Sequence, residues 1–182
     1  MQKRILLITG SPGIGKTTLI IKVVDALKAK GVSVGGMISQ EAREDGTRVG
    51  FEILDLTNSK HGWLAHINQK NGPHVGKYHV NIEDLEKIGA KAIVDAVGKC
   101  EVLVIDEIGP MEFFSQKFKQ AVMEALESPK LVLAVIHAKA HDPIINEVKQ
   151  RGDAETFTVI LANRDLLVQD LTKMAEISLK LA

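Results

Sequence analysis

Residues 4–18, RILLITGSPGIGKTT, constrain this chain more than any other stretch. An apolar run ends at Thr9, and three glycines and a proline then precede Lys16. A tight turn needs fewer. Gly10, Ser11, Pro12, Gly13, Ile14, Gly15, Lys16 and Thr17 fit the G-x-x-x-x-G-K-[ST] phosphate loop at every position. Glycines let the backbone curl until successive N–H groups point inward at an anion. The following helix adds its positive end to the same site. The pattern predicts Lys16 on the β- and γ-phosphates, the Thr17 hydroxyl on a magnesium ion and Thr18 on the α-phosphate side.

Such a loop sits between a buried strand and a helix, and the neighbouring sequence agrees. RILLIT (4–9) is continuously apolar, as in a strand covered on both faces. Leu19, Val23, Ala26 and Leu27 then recur with helical spacing, and Gly31 is placed to end the helix. Residues 33–39 and 47–56 read as strands joined by a turn at Asp45-Gly46. Residues 58–80 show no clean period and read as hairpin and loop, whereas 81–97 read as a helix capped by Asn81. Farther on, EVLVID (101–106), LVLAVI (131–136) and TFTVIL (156–161) read as strands. They alternate with a helical stripe at Phe114, Phe118, Ala121, Val122 and Ala125, and with a short helix over 142–151. A terminal helix carries Leu167, Leu171, Met174, Ile177 and Leu181. The expected fold class is therefore α/β, a three-layer sandwich around a mostly parallel sheet, with an inserted hairpin region over about 44–80. At 182 residues, with no linker or low-complexity tract, a single domain is expected.

A phosphate loop needs a carboxylate near its metal ion, normally where a second buried strand ends. Asp106 ends one such run, placed to hold the ion, and Glu107 follows, able to orient or deprotonate an attacking water. The same two acids also suit capping of the next helix, worth about 1 kcal/mol. His137 follows the 131–136 strand and should emerge at the same sheet edge, as a γ-phosphate contact or as a histidine satisfied in a loop. Asn163 and Arg164 follow the last strand; Arg164 suits phosphate charge or the flank of a base, and Asn163 also suits a helix cap.

Composition narrows the partners. Formal net charge is zero, which argues against a nucleic-acid or anionic-membrane surface. Cys100 is the single cysteine, so neither an intrachain disulfide nor a cysteine metal cluster fits. The N-terminal apolar run is too short for a signal core or a membrane span, and a cytoplasmic protein is expected.

GSPGIGKTT, RVGFEILDL, GKYHV, VIDEIGPME and NRD occur in that order, and together they resemble the THEP-type nucleoside-triphosphate phosphatases over nearly the full length. That family is similar to RecA-like ATPases in fold. The resemblance implies hydrolysis of ATP, GTP, CTP, UTP and TTP to the diphosphate with Mg2+, and of some diphosphates less efficiently. It also implies nucleotide-binding segments at Gly10 to Thr17 and at Leu103, Val104, Ile105, Asp106, Glu107, Ile108, Gly109 and Pro110. Many members carry lysine where this chain has Pro110, and smaller residues are common at the position of His79. Independently, no Asn-Lys-x-Asp element is present to read guanine, which favours broad base tolerance.

Two rivals belong to other classes. A small-molecule kinase normally brings several arginines on a lid to neutralise charge and exclude water. Of the five arginines here, only Arg151 lies in the lid-like segment that follows 131–136, so water is favoured as acceptor. A nucleotide-dependent switch would use residues 44–80, with Trp63 and Tyr78, as its partner surface.

Overall fold

A computed structural model describes residues 3–138, 140 and 142–180. Leu181 of the terminal stripe lies outside the described residues. The first half runs β1 (Ile5–Thr9), α1 (Lys16–Ala29), β2 (Val34–Glu44), β3 (Thr47–Asp55), β4 (His61–His66), β5 (His74–Val75) and β6 (Tyr78–Val80). A helical segment follows as α2 (Ile82–Asp84), a π-helical stretch (Leu85–Ala90) and α3 (Lys91–Lys99). The second half runs β7 (Val102–Ile108), a 3-10 turn (Glu112–Phe114), α4 (Gln116–Glu127), β8 (Leu131–Ile136), α5 (Pro143–Gln150), β9 (Ala154–Thr158) and α6 (Arg164–Lys180).

The nine strands form one sheet in the order β5-β6-β4-β3-β2-β7-β8-β1-β9. It is mixed, which corrects the expectation of a mostly parallel sheet. From β2 to β9 every pairing is parallel; from β2 outward through β3, β4, β6 and β5 every pairing is antiparallel. The reason is the connection. Asp45 and Gly46 take φ of 47° and 77°, the two-residue turn that reverses a strand onto its neighbour. The presumed insertion thus extends the sheet directly from β2, and 58–80 holds three short strands. Two or three residues give a period nothing to repeat over, so β5 and β6 escaped the pattern.

Alternation along the strands sorts side chains onto two cores. Leu6, Ile8, Val104, Leu133 and Val135 pack with α1 and α6 on one face; Ile5, Leu7, Leu103, Ile105 and Ala134 pack with α3, α4 and α5 on the other. Three layers result. Asn81 caps its helix as expected, its side chain accepting from the Asp84 N–H at 3.1 Å. Phe114 leaves the predicted α4 stripe: it lies in the 3-10 turn, half exposed, because the Ser115 hydroxyl accepts from Phe118 N–H and starts α4 later. β9 also starts and stops earlier than expected. Its pairing with β1 runs from Ile5↔Ala154 to Thr9↔Thr158, and the chain then turns away. Asn163 fixes that turn, accepting from Ile160 N–H at 2.9 Å and donating to Thr158 O at 2.9 Å, which leaves Leu161 71% exposed.

Candidate nucleotide site

Parallel strands bind ligands beyond their carboxyl ends, and β1, β7, β8 and β9 all end on one edge. β8 lies between β1 and β7, so the loop after β1 faces the acidic end of β7 across one strand. The loop depends on its glycines. Gly10 has φ 153°, and a Cβ there would stand 2.8 Å from Val159 O. Gly15 takes the N-cap position of α1 at φ 102°; no side chain caps the helix and no acid occupies its first turn. The first N–H groups of α1 are left for an anion. Lys16 is folded over the loop, its Nζ donating to Gly10 O at 3.1 Å and Ser11 O at 3.2 Å. Gly10 is buried, Ser11, Pro12, Gly13 and Thr18 are exposed, and Ile14, Gly15, Lys16 and Thr17 are half-buried.

Opposite, β7 carries one residue more than β8 between Ile105↔Ala134 and Ile108↔Ile136, a bulge containing Asp106 and Glu107, joined by a cis peptide. Bulges re-aim side chains beside sites. Ile105 and Ile108, three residues apart, both reach the same core, while the Asp106 carboxylate accepts from the Thr17 hydroxyl at the head of α1. Asp106 is 1% exposed and its Oδ2 has no hydrogen-bond partner. Burial pushes its carboxyl up to about 7, with the Thr17 bond and Lys16 pulling down and Glu107 adding to the rise. An orphaned buried carboxylate oxygen beside a hydroxyl is a donor pair suited to a hard divalent cation, which takes oxygen ligands and relies on few carboxylates when phosphates supply the rest. No group of three or more His, Cys, Asp or Glu among the described residues forms a metal cluster.

Glu107 is half-buried. Burial raises its carboxyl above the ordinary range, and Lys16 and then His137 oppose the rise, so both side chains face it. His137 sits at the end of β8, its backbone N–H on Ile108 O. The geometry therefore gathers the predicted Lys16, Thr17, Asp106, Glu107 and His137 at one edge. Leu103, Val104, Ile105 and Ile108 supply the strand, with side chains in the cores; Gly109 is buried in the turn after it, and Pro110 is exposed. Arg164 lines an open cavity of about 160 Å³ with Gly15, Thr18 and Val168, beside the loop. Asn163 spends its amide on the β9 turn.

Three residues here escaped the sequence reading. Lys22 and Asp165 line the same cavity and pair at 3.5 Å. Glu112, 4% exposed, carries a carboxyl that burial, then Glu107, pushes up to about 8. Its place in the quoted VIDEIGPME stretch was the available signal.

A phosphate loop heading α1, facing a buried strand-end acid across one strand of a parallel half-sheet, defines a P-loop nucleotide-binding protein. The profile of the family described as NTPase matches residues 5–172, and the chain belongs to that family. It is 47% identical over 174 residues to a nucleoside-triphosphatase THEP1 of Thermofilum pendens, covering 95% of this chain and 96% of the relative. It is also 47% identical over 166 residues to the THEP1 of Methanosarcina acetivorans, covering 91% and 93%. Among solved structures, the crystal structure of THEP1 from Aquifex aeolicus superposes with TM-score 0.82 at 29% identity, covering 94% of this chain and 99% of that one. The solution structure of a human cancer-related nucleoside triphosphatase gives 0.79 at 36% identity, covering 93% and 96%.

Proposed function

We propose that the chain is a nucleoside-triphosphatase that releases the terminal phosphate to water, with Mg2+ as its divalent cation. The observation that carries this is the buried Asp106 carboxyl, its Oδ2 without a hydrogen-bond partner and the Thr17 hydroxyl beside the group, with Glu107 in the next position. Relatives named nucleoside-triphosphatases, alike over nine-tenths of the chain or more, support the same activity.

Asp106 and Thr17 would hold the magnesium ion, which supplies charge neutralisation at the β- and γ-phosphates. Lys16 leaves the Gly10 and Ser11 carbonyls for the phosphate oxygens, a charge-assisted contact stronger than the ones it gives up. The N–H groups of the loop and of the first turn of α1 cradle the triphosphate. Glu107 accepts one proton of a water whose oxygen bonds to the γ-phosphorus. The bond from that phosphorus to the β,γ-bridging oxygen breaks, and the electron pair stays on the diphosphate. His137 stands beside Glu107 as a further polar group at the end of β8. Arg164 and the cavity next to Thr18 receive the nucleoside with no side-chain code for one base, consistent with use of ATP, GTP, CTP, UTP and TTP. Phosphate release from a panel of these five, with and without magnesium and with no acceptor added, tests the reading. Release from all five that requires the metal is expected; diphosphate formed only when an acceptor is supplied, with no free phosphate, would make the chain a kinase.

A further inference from the structure

Glu112 is a buried acid with no place in the chemistry just described. A Cβ built on Gly109 would meet Glu107 Oε1 at 2.9 Å, Glu112 Oε2 at 3.3 Å and His137 Cβ at 3.4 Å. The two carboxyls and the histidine therefore close on one point above the Gly109 α-carbon. The Glu112 carboxyl lies against the backbone N–H groups of Gly109 and of Glu112 itself, and Gly109 O accepts from Phe113 N–H. The Gly109 contact and the Phe113 bond tie the turn after β7 to the 3-10 turn that carries Glu112. Without that side chain, the buried Gly109 N–H loses the polar group that faces it, and buried N–H groups must be satisfied. A second full negative charge this close to Glu107 would repel it; burial favours the neutral, protonated form of Glu112, which supplies its acceptor oxygen without that charge.

We propose that Glu112 is a positioning residue for hydrolysis: its carboxyl clamps the Gly109 turn and so fixes the direction in which Glu107 meets the attacking water. The proposal rests on Glu107 as the water-activating group. A glutamine in place of Glu112 would keep an acceptor oxygen at the same reach and no charge, whereas a leucine fills the volume and accepts nothing. Gly109 belongs to the same device, since any side chain there strikes Glu107 Oε1.

The test compares Glu112→Gln, Glu112→Leu and Gly109→Ala, each measured for kcat and for Kd of a nonhydrolysable triphosphate with magnesium. Glu112→Leu and Gly109→Ala should lose at least about tenfold in kcat, the loss set by misplacement of a reacting group, with Kd within about threefold of the parent. Glu112→Gln should recover kcat to within about threefold. Full turnover by Glu112→Leu overturns the proposal, as does a Glu112→Gln variant no better than Glu112→Leu. If Glu112→Leu fails to fold, Gly109→Ala and Glu112→Gln decide alone: normal kcat in the former or a tenfold loss in the latter rejects it. Glu107→Gln, run in parallel, separates the two ideas, because normal turnover there removes the water-activating role whatever Glu112 does.

Discussion

Lys16 and Glu107 face each other, but they answer to different measurements. In the proposed reaction Lys16 contacts phosphate in ground and transition states alike, so Lys16→Ala should weaken binding as well as rate. A lost hydrogen bond to a charged group is worth about 1.5–3 kcal/mol, and nucleotide Kd should rise on the order of tenfold to a hundredfold by fluorescence titration. In the same proposal Glu107 acts only when water attacks. Glu107→Gln should keep Kd within about threefold and lose about 10²–10⁴ in kcat, the range for a general base. Near-normal turnover there would move the role to another group at the edge, with His137 first in line. Lys16 was legible because a phosphate loop demands fixed residue types in unbroken order, and Glu107 because it follows the acid that ends a buried strand. Glu112 was not. Nothing in MEFF announces that its acid is buried; that follows from the bulged strand before it and α4 folding over it, and neither is a local property.

At the scale of elements, hydrophobic period located β1, β7 and β8 well, since strands covered on both faces are continuously apolar. It failed at β9, where the apolar Val159, Ile160 and Leu161 drew the expected strand past its end. Pairing with β1 stops at Thr158, and Asn163 then bends the chain with two hydrogen bonds. The Asp45-Gly46 turn announced the antiparallel β2–β3 pair, but period could not show that β4, β6 and β5 carry the antiparallel half on to the sheet edge. Asn163→Ala should therefore act on the element. Losing both bonds costs about 1–2 kcal/mol, or roughly 3–6 °C in Tm for a chain of this length. An unchanged melting curve would show that Val159 N–H on Thr9 O holds the turn by itself.

Over the whole molecule, the three clustered acids tie folding stability to pH. Asp106 is raised from 3.8 to about 7, Glu112 from 4.5 to about 8, and Glu107 in the same direction. In each case the folded chain holds a proton that the unfolded chain has already released. Stability from these groups is complete below about pH 4 and declines as pH rises through their folded values, the sign opposite to that of a salt-bridged carboxylate. Burial works to raise Asp153, but Arg151 and Arg4 outweigh it and hold that carboxyl below the ordinary range, so its contribution is lost only as pH falls through the acid region. Between about pH 5 and 8 the clustered acids therefore set the slope. The Tm of the nucleotide-free protein should fall steadily across that window by several degrees, at about 2–4 °C per kcal/mol, and level off above it. Magnesium with a nonhydrolysable triphosphate stabilises the ionised acids and adds binding energy to the folded state alone, so the decline should shrink when both are present. Glu112→Gln should flatten the upper part of the nucleotide-free curve, from about pH 6 to 8, where the parent ionises last. Thermal melts at matched ionic strength read all three curves, and a Tm that rises between pH 5 and 8 without nucleotide would mean that these acids are already ionised in the folded chain.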